Sequence, residues 1–337
     1  MTDLIRSASL QRFADVAREA GLDPRKLLAR VGLPPMALQD PDIRIPAGGV
    51  RRLLEEAAAA TGLEDFGLRL AERGGLSNLG PVALVVREQA TVGAAMDALA
   101  RYVHIHNESV SLRIERTGDV VSVAPVLQVG GGVPARQSVE LVLGVTFRIL
   151  SAFFGSGWSP IEVHFAHPAP RNRSAHRRFF GAPVMFGAER DAIFCKASDM
   201  TRPMPAADAS MARYAQAYIE TIAAREPTIE GKVRELVAAL LPTGRCSVER
   251  VAEHLGCDRR TVHRRLAERG ATFSDILDAE RASLALRLIE DRRRSLPAVA
   301  GLLGFSAQSA LARWFKAKFG KSVTQWRAQS TSKREDQ

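Results

Sequence analysis

The chain has 337 residues, 46% of them hydrophobic, and a formal net charge of +10 from 47 basic and 37 acidic residues. This length is enough for two folded domains. No apolar run approaches the length of a bilayer span, the first residues lack a signal segment, and the three cysteines include no closely spaced pair. We therefore expect a cytoplasmic protein with reduced thiols and without a membrane span, a signal segment or a disulfide framework.

Residues 1–200 are neither strongly acidic nor strongly basic and combine predicted helices with predicted strands. Four segments have the apolar periodicity and flanking glycine or proline of helices: 9–20, 47–61, 92–104 and 135–154. Four segments are predicted as strands, the first two as a hairpin around Thr117-Gly118-Asp119: 109–116, 120–127, 161–165 and 192–196. Because helices and strands do not alternate as a βαβ array, the pattern predicts an α+β domain.

Polar residues on the predicted helices beside the sheet are the candidates for contacting a small molecule. A pocket for such a ligand should be mostly apolar with a few polar groups. The expected effector contacts are His104, Asn107, Arg136 and Glu140. For the charged residues of the helix over 135–154, including Arg148, ordinary surface charge is the alternative explanation.

Seven histidines raise the question of a metal site. His104 and His106 are two residues apart and His164 and His167 three, and residues i and i+2 of a strand share a face. Either pair would need carboxylates or cysteines from elsewhere, so ordinary polar histidines are favoured.

The run Gly130-Gly131-Gly132 has no following Lys-Ser/Thr and is interpreted as a flexible link, not a phosphate loop. We predict no metal, no cofactor and no catalytic residue.

Prolines mark the end of this first region. The segment Arg202-Pro-Met-Pro205 disfavours a continuing helix, and a helical segment over residues 206–225 then leads to Pro227. The predicted organisation is a first domain over residues 1–205, a helical linker over 206–228, and a second domain over 229–337 with a polar tail after 329.

The second region contains one pattern twice: a short amphipathic helix, a glycine turn, a capping residue and another helix. Five positions match at a constant offset of 48 residues: Val251, Ala252, Leu255, Gly256 and Asp258 with Val299, Ala300, Leu303, Gly304 and Ser306. The apolar members form one helix face, the glycines allow a left-handed turn, and Asp258 and Ser306 are the predicted caps. The repetition predicts two helix-turn-helix units, an arrangement that reads DNA.

The helix after each turn has an inner and an outer face. The predicted inner contacts are Val262 and Leu266 in the first unit and Leu311 and Phe315 in the second, at an offset of 49 residues. Trp314 and Trp326 are interpreted as core aromatics. The predicted outward residues are Arg259, Arg260, His263 and Arg264 in the first unit and Gln308, Ser309, Ala312 and Arg313 in the second.

A long helix is predicted between the two units. Residues 273–296 contain no proline or glycine and carry apolar residues at helical spacing. A rigid spacer would hold both outer helices in successive major-groove segments, roughly 34 Å apart. Residues 229–337 also carry 21 basic and 13 acidic residues, a balance of +8, and such a surface neutralises DNA phosphates.

Signature residues of a known family occur in both units. Residues 260–266 form one group, and the other comprises Gly304-Phe305-Ser306, Ser309, Arg313, Phe315-Lys316 and Gly320. Over about residues 229–328 they resemble the two helix-turn-helix units of the AraC/XylS family of transcription regulators, with departures at Asp258, Leu311 and Trp314. The resemblance implies that outward residues of both recognition helices contact the bases of double-stranded DNA. The predicted DNA contacts are Arg259, Arg260, His263, Arg264, Gln308, Ser309 and Arg313. RNA polymerase is a further expected partner.

Short stretches of the first region carry a second resemblance, at residues 38–46, 100–103, 167–170 and 178–184. They resemble the N-terminal domain of the arabinose-binding-like AraC subgroup, which is related to ornithine-utilisation and VirS-type regulators. The resemblance covers most of residues 1–205 and implies an effector-sensing or oligomerising domain. The subgroup label is inherited, so no sugar ligand is inferred from it.

The leading interpretation is a one-component transcription regulator, not an enzyme, in which a small molecule bound to residues 1–205 controls DNA binding. A homodimer is a further expectation. One alternative is a constitutive DNA-binding regulator whose first domain only dimerises. Another is an enzyme with this DNA module, such as an alkyl-acceptor repair protein. That chemistry needs an activated cysteine in a Pro-Cys-His-Arg setting, which none of the three cysteines has.

Overall fold

The computed structural model describes residues 3–128, 134–155, 157–204, 207–223, 228–244, 246–255, 257–290 and 294–327. These residues fall into two compact units. The N-terminal unit contains Asp3–Val31 and residues 36–223, and the C-terminal unit contains residues 228–327 together with Gly32–Pro35. The predicted glycine link at 130–132, the predicted turn at Gly256 and the predicted tail lie outside the described residues.

The N-terminal unit is built from two sheets and the helices around them. Its strands are β1 (Leu4–Arg6), β2 (Arg44–Pro46), β3 (Val110–Thr117), β4 (Val120–Leu127), β5 (Glu162–Phe165), β6 (Val184–Phe186) and β7 (Ala192–Lys196). Its helices are α1 (Phe13–Glu19), α2 (Pro24–Val31), α3 (Ala47–Thr61), α4 (Phe66–Glu72), α5 (Pro81–Arg87), α6 (Val92–His106), α7 (Arg136–Phe154), α8 (Ser174–Phe180), α9 (Ala197–Met200) and α10 (Ala209–Ala223). β1 pairs with β2, and the larger sheet has the order β3-β4-β7-β5-β6, in which β5 and β6 are parallel and the other neighbours antiparallel.

The hairpin and most helices lie where the sequence predicts them. β3 and β4 pair along their whole lengths around Gly118, whose φ is +59°. Helix α3 has the predicted bounds, and α6 continues past the predicted end to His106. The first predicted helix begins only at Phe13, because Arg12 takes a left-handed φ of 69° after a short 3-10 turn. The sequence does not predict β1, β2 and β6, since three residues are too few to show alternation.

Helix α7 runs through the core of the N-terminal unit. Its length and apolar composition would suit a membrane span, so the expectation that no apolar run reaches that length is wrong for this segment. Of the residues in its most apolar stretch, 67% are buried inside the protein. Helix α4 packs closely on it: a Cβ at Gly67 would lie 2.0 Å from the Gln137 carbonyl oxygen. The apolar surface of α7 is therefore explained by packing within this unit.

The predicted linker segment contains α10, which packs against α5 and α6 of the N-terminal unit. Ala215 and Ile219 are buried on its inner face. Gln216 Nε2 donates a hydrogen bond to the Tyr102 hydroxyl at 2.6 Å. This helix thus belongs to the packed structure of the N-terminal unit.

The C-terminal unit is all-helical in its described residues. Its helices are α11 (Ile229–Leu240), α12 (Val248–His254), α13 (Arg259–Ala267), α14 (Phe273–Glu290), α15 (Leu296–Leu302) and α16 (Gln308–Phe319). The long connecting helix begins at Phe273 as predicted but ends at Glu290, before the predicted end at Leu296. The Ser295 hydroxyl accepts a hydrogen bond from the Ala298 amide at 3.4 Å and starts α15 instead. An α+β region followed by an all-α region with two helix-turn-helix units is confirmed.

Candidate functional site

Local hydrogen bonds begin both helices of the first helix-turn-helix unit. Ser247 Oγ accepts from the Arg250 amide at 3.2 Å at the start of α12, and Asp258 Oδ1 accepts from the Thr261 amide at 2.7 Å at the start of α13. The predicted Asp258 cap is confirmed, and the hydrogen bonds from Thr261 lower the pKa of the Asp258 carboxyl group. The apolar side chains buried in this unit are Val251, Ala252, Leu255, Val262 and Leu266.

The second unit repeats this plan with one correction. Its buried side chains are Val299, Ala300, Leu303, Leu311 and Phe315. Gly304 has a φ of +72° and forms the turn as predicted. The prediction that Ser306 caps the following helix is wrong, because Ala307 occupies the N-cap position of α16 and makes no side-chain cap. The turn is one residue longer than in the first unit, which explains why the repeat offset changes from 48 to 49 residues.

Polar side chains of α14 brace the second unit. Asp278 accepts hydrogen bonds from Trp314 Nε1 at 2.5 Å and from Lys318 Nζ at 2.6 Å. Partial burial raises the pKa of Asp278, but these two bonds outweigh it and the net shift is downward. The Arg281 guanidinium lies 5.0 Å from the centre of the Phe305 ring. These contacts hold α16 in a fixed orientation relative to the connecting helix.

All the predicted DNA contacts are exposed on the outer faces of α13 and α16: Arg259, Arg260, His263, Arg264, Gln308, Ser309 and Arg313. Arg259 Nη1 lies 3.2 Å from Glu249 Oε1, so this charge is already paired. Within the described part of the chain, the guanidinium groups of Arg260 and Arg313 have no hydrogen bond or ion pair. Among the predicted contacts, each helix therefore presents an arginine whose donors are available to a base edge or a phosphate.

A cavity of about 90 Å³ lies in the N-terminal unit between β1, α4, α6, β3, β4 and α7. Its volume is several times the roughly 10–15 Å³ that one buried water needs. Most of the lining is apolar, and among the described residues no Lys, Arg, Asp or Glu lines the cavity. Burial lowers the pKa of His106 to about 3, so this residue is neutral near pH 7. The polar lining residues are Ser9, Gln11, Asn78, His106, Asn107 and Thr146.

The expected effector contacts do not lie together in one site. Asn107 lines the cavity, and its side-chain oxygen accepts hydrogen bonds from the Ser109 amide at 2.9 Å and the Ser109 hydroxyl at 2.7 Å. His104 is exposed on α6 and is not among the lining residues. Arg136 and Glu140 lie in a separate cluster on α7.

That cluster is centred on Glu140, which is fully buried, so surface charge is the wrong explanation for this residue. Its Oε1 lies 3.1 Å from His176 Nε2, 3.3 Å from Arg136 Nε and 3.6 Å from His167 Nε2. Burial lowers the pKa of His167. No group of His, Cys, Asp or Glu among the described residues has an arrangement suited to a metal ion. The cluster joins α7 to α8 and to the segment after β5.

Sequence reasoning missed residues of two kinds. Ser247 and Ser295 cap helices, and each precedes an apolar periodic segment, a signal that could have found them. Ser9 and His106 carry no such signal. The residues that line their cavity are spread between Ile5 and Ile149 and meet only in the folded unit.

Comparison with known families gives two matches that together span most of the chain. Residues 21–204, more than half of the chain, match the family described as the arabinose-binding domain of AraC transcription regulator, N-terminal. Residues 251–329 match the family described as a helix-turn-helix domain. The two matches divide between the N-terminal and C-terminal regions.

Similar full-length proteins are transcription regulators. The chain is 34% identical over 328 residues to the HTH-type transcriptional regulator VirS of Mycobacterium tuberculosis, covering 96% of each chain. It is 24% identical to the ornithine utilization regulator of Pseudomonas aeruginosa, with the same coverage. The crystal structure of the transcriptional regulator CdpR from Pseudomonas aeruginosa aligns with a TM-score of 0.44 and 21% identity, over 91% of this chain and 98% of that one.

Proposed function

Since this chain belongs to the AraC family of helix-turn-helix transcription regulators, we propose that its two recognition helices bind successive major-groove segments of one asymmetric promoter site. The observation that carries the proposal is the exposure of α13 and α16 from a single compact unit, each with a polar outer face. RNA polymerase is the proposed partner at the promoter, in the cytoplasm. The proposed base-contacting residues are Arg259, Arg260, His263, Arg264, Gln308, Ser309 and Arg313.

A salt titration of DNA binding tests this proposal. The full chain should bind a duplex that it selects from genomic DNA, with log K falling by about 0.9 per phosphate neutralised for each tenfold rise in salt. We propose that residues 229–337 form the DNA-binding domain. The segment 206–228, whose helix α10 packs on the N-terminal unit, would connect it to the domain over 1–205. A fragment of residues 229–337 should then keep the same salt slope. Binding that is indifferent to salt contradicts the proposal.

We further propose that the N-terminal unit binds a small molecule that changes the affinity for DNA. The cavity between α6 and α7 supports this, because a mostly apolar hollow with a few polar groups is the usual form of a ligand site. Ligand and DNA must then change each other's affinity by the same factor. A homodimer through this unit is also proposed, with light scattering as its measurement. If no metabolite of a broad panel changes DNA affinity, the chain is a constitutive regulator.

A further inference from the structure

Two polar atoms in the wall of the cavity lack partners. Ser9 Oγ and His106 Nδ1 are buried and make no hydrogen bond within the described residues, although both residues line the cavity. Buried polar groups of native proteins are nearly always paired with protein, water or ligand. A molecule that brought its own polar atom into the cavity would satisfy these two groups.

The charges around the cavity disfavour an ionised ligand. The arginines that act on His106 electrostatically are Arg6 and Arg44, and neither is a lining residue. Both are already paired, Arg6 with Asp42 and Arg44 with Glu108, whose Oε1 lies 2.7 Å from Arg44 Nη2. An ion that entered the cavity would lose its hydration without meeting an unpaired counter-charge.

The polar lining is also too sparse for a ligand with many hydroxyl groups. The Thr146 hydroxyl already donates to the Val142 carbonyl at 2.8 Å within α7. The Asn107 side-chain oxygen is occupied by Ser109. The other polar lining residues among those described are only Ser9, Gln11, Asn78 and His106. A sugar would therefore bury some of its hydroxyls against the apolar side chains of α6 and α7, where they would have no partner.

We propose that this cavity is the effector site and that it binds an uncharged, largely apolar molecule through one hydroxyl or carbonyl group, which Ser9 and His106 contact. The inference rests on the proposed effector control of this regulator. It assigns the chemical class of the ligand. The apolar walls, represented by Leu99, Leu141 and Ile149, would contact the hydrocarbon part.

Matched pairs of probes test the ligand class on the full chain. The thermal unfolding temperature of the N-terminal unit is measured at neutral pH with 1-hexanol against hexanoate, and with benzyl alcohol against benzoate, at equal millimolar concentrations. L-arabinose and L-ornithine serve as polyhydroxylated and charged probes. The alcohols should raise the temperature, because they bind only the folded state, and the other probes should not. No stabilisation by either alcohol, or greater stabilisation by a carboxylate, overturns the inference.

Variants locate the binding within the cavity. Ser9→Ala should weaken 1-hexanol binding by about fivefold, the cost of roughly one hydrogen bond. Ser151→Ala is the matched control, because Ser151 Oγ is also buried without a hydrogen-bond partner among the described residues but does not line the cavity. Val145→Phe should abolish binding by filling the space. If Ser9→Ala and Ser151→Ala weaken 1-hexanol binding equally, the assignment is overturned. This comparison tests the assignment even if Val145→Phe does not fold.

DNA affinity separates this inference from the function on which it rests. The full chain is titrated with its selected duplex in the presence and absence of 1-hexanol. A change in DNA affinity on adding 1-hexanol that is smaller in Ser9→Ala supports both the ligand class and effector control. Binding of 1-hexanol that leaves DNA affinity unaltered supports the ligand class and contradicts effector control. Retained DNA binding with no response of the unfolding temperature to either alcohol overturns the inference alone.

Discussion

The two helix-turn-helix units place different chemistry at equivalent positions of their recognition helices. The paired residues, at the offset of 49, are Arg259 with Gln308, Arg260 with Ser309, His263 with Ala312 and Arg264 with Arg313. Helix α13 thus presents three arginines where α16 presents one. If the proposed DNA contacts hold, the first helix would contact mainly phosphates and guanines, and the second would depend more on polar groups that contact other base edges.

On the buried faces of the same two helices, the second unit has the larger side chains. Helix α13 buries Val262 and Leu266, whereas α16 places Phe315 at the centre of an aromatic group. The rings of Trp314, Phe319 and Trp326 lie within 6.4 Å of the Phe315 ring, centre to centre. Asp278 of α14 also braces α16. At the four compared positions the first recognition helix carries most of the arginines, whereas the second helix is anchored in the larger aromatic core.

The largest expected effect is a loss of stability in the second unit. Phe315→Ala should cost about 3–5 kcal/mol, and Leu266→Ala at the equivalent depth of the first unit about 2–5 kcal/mol. We expect Phe315→Ala to be the more costly, because it opens a cavity among several rings. Scanning calorimetry of the full chain measures both. Exposed Lys316→Ala is the control, within about 0.5 kcal/mol. A larger cost for Leu266→Ala contradicts this expectation.

A smaller effect is expected on DNA recognition. Arg260→Ala and Arg313→Ala should each cost about 1–3 kcal/mol if the arginine is bidentate to guanine, and each should relax preference at one position of its own half-site. Arg259→Ala should cost less, because Glu249 already pairs with that charge. Binding to a library of operator variants measures the effect. Uniform weakening on every sequence would make these residues phosphate contacts.

The smallest effects should come from the helix caps. Ala307→Ser should stabilise the second unit by about 0.5–1 kcal/mol by supplying the missing cap.

Asp258→Ala should lower the unfolding temperature. Because the folded-state pKa of Asp258 is lowered, its contribution is present above the ordinary carboxyl pKa and is lost as the pH falls through the lowered value. The unfolding temperatures of the unmutated chain and of Asp258→Ala should therefore become equal at acidic pH. If the difference between the two temperatures does not change with pH, loss of the Asp258 cap is not its cause.

Short-range patterns of the sequence were sufficient for the C-terminal region. Residues within four positions of one another determine the apolar faces of α12 and α15 and the cap at Asp258, because their hydrogen bonds and packing repeat with the helical period. The same holds for the hairpin around Gly118. The cap at Ser306 was predicted wrongly, because the backbone conformation of a turn, and not the residue type, decides which position precedes the helix.

By itself, the sequence determined the two helix-turn-helix units, their exposed basic and polar residues and the α+β class of the first region. Only the tertiary structure decided which polar residues of that region are buried and which residues they contact. It separates Glu140, which meets His167 and His176, from His106 and Ser9, which line the cavity. The physical reason is distance along the chain. Burial and cavities arise where elements far apart in sequence pack together, and no local period records that packing.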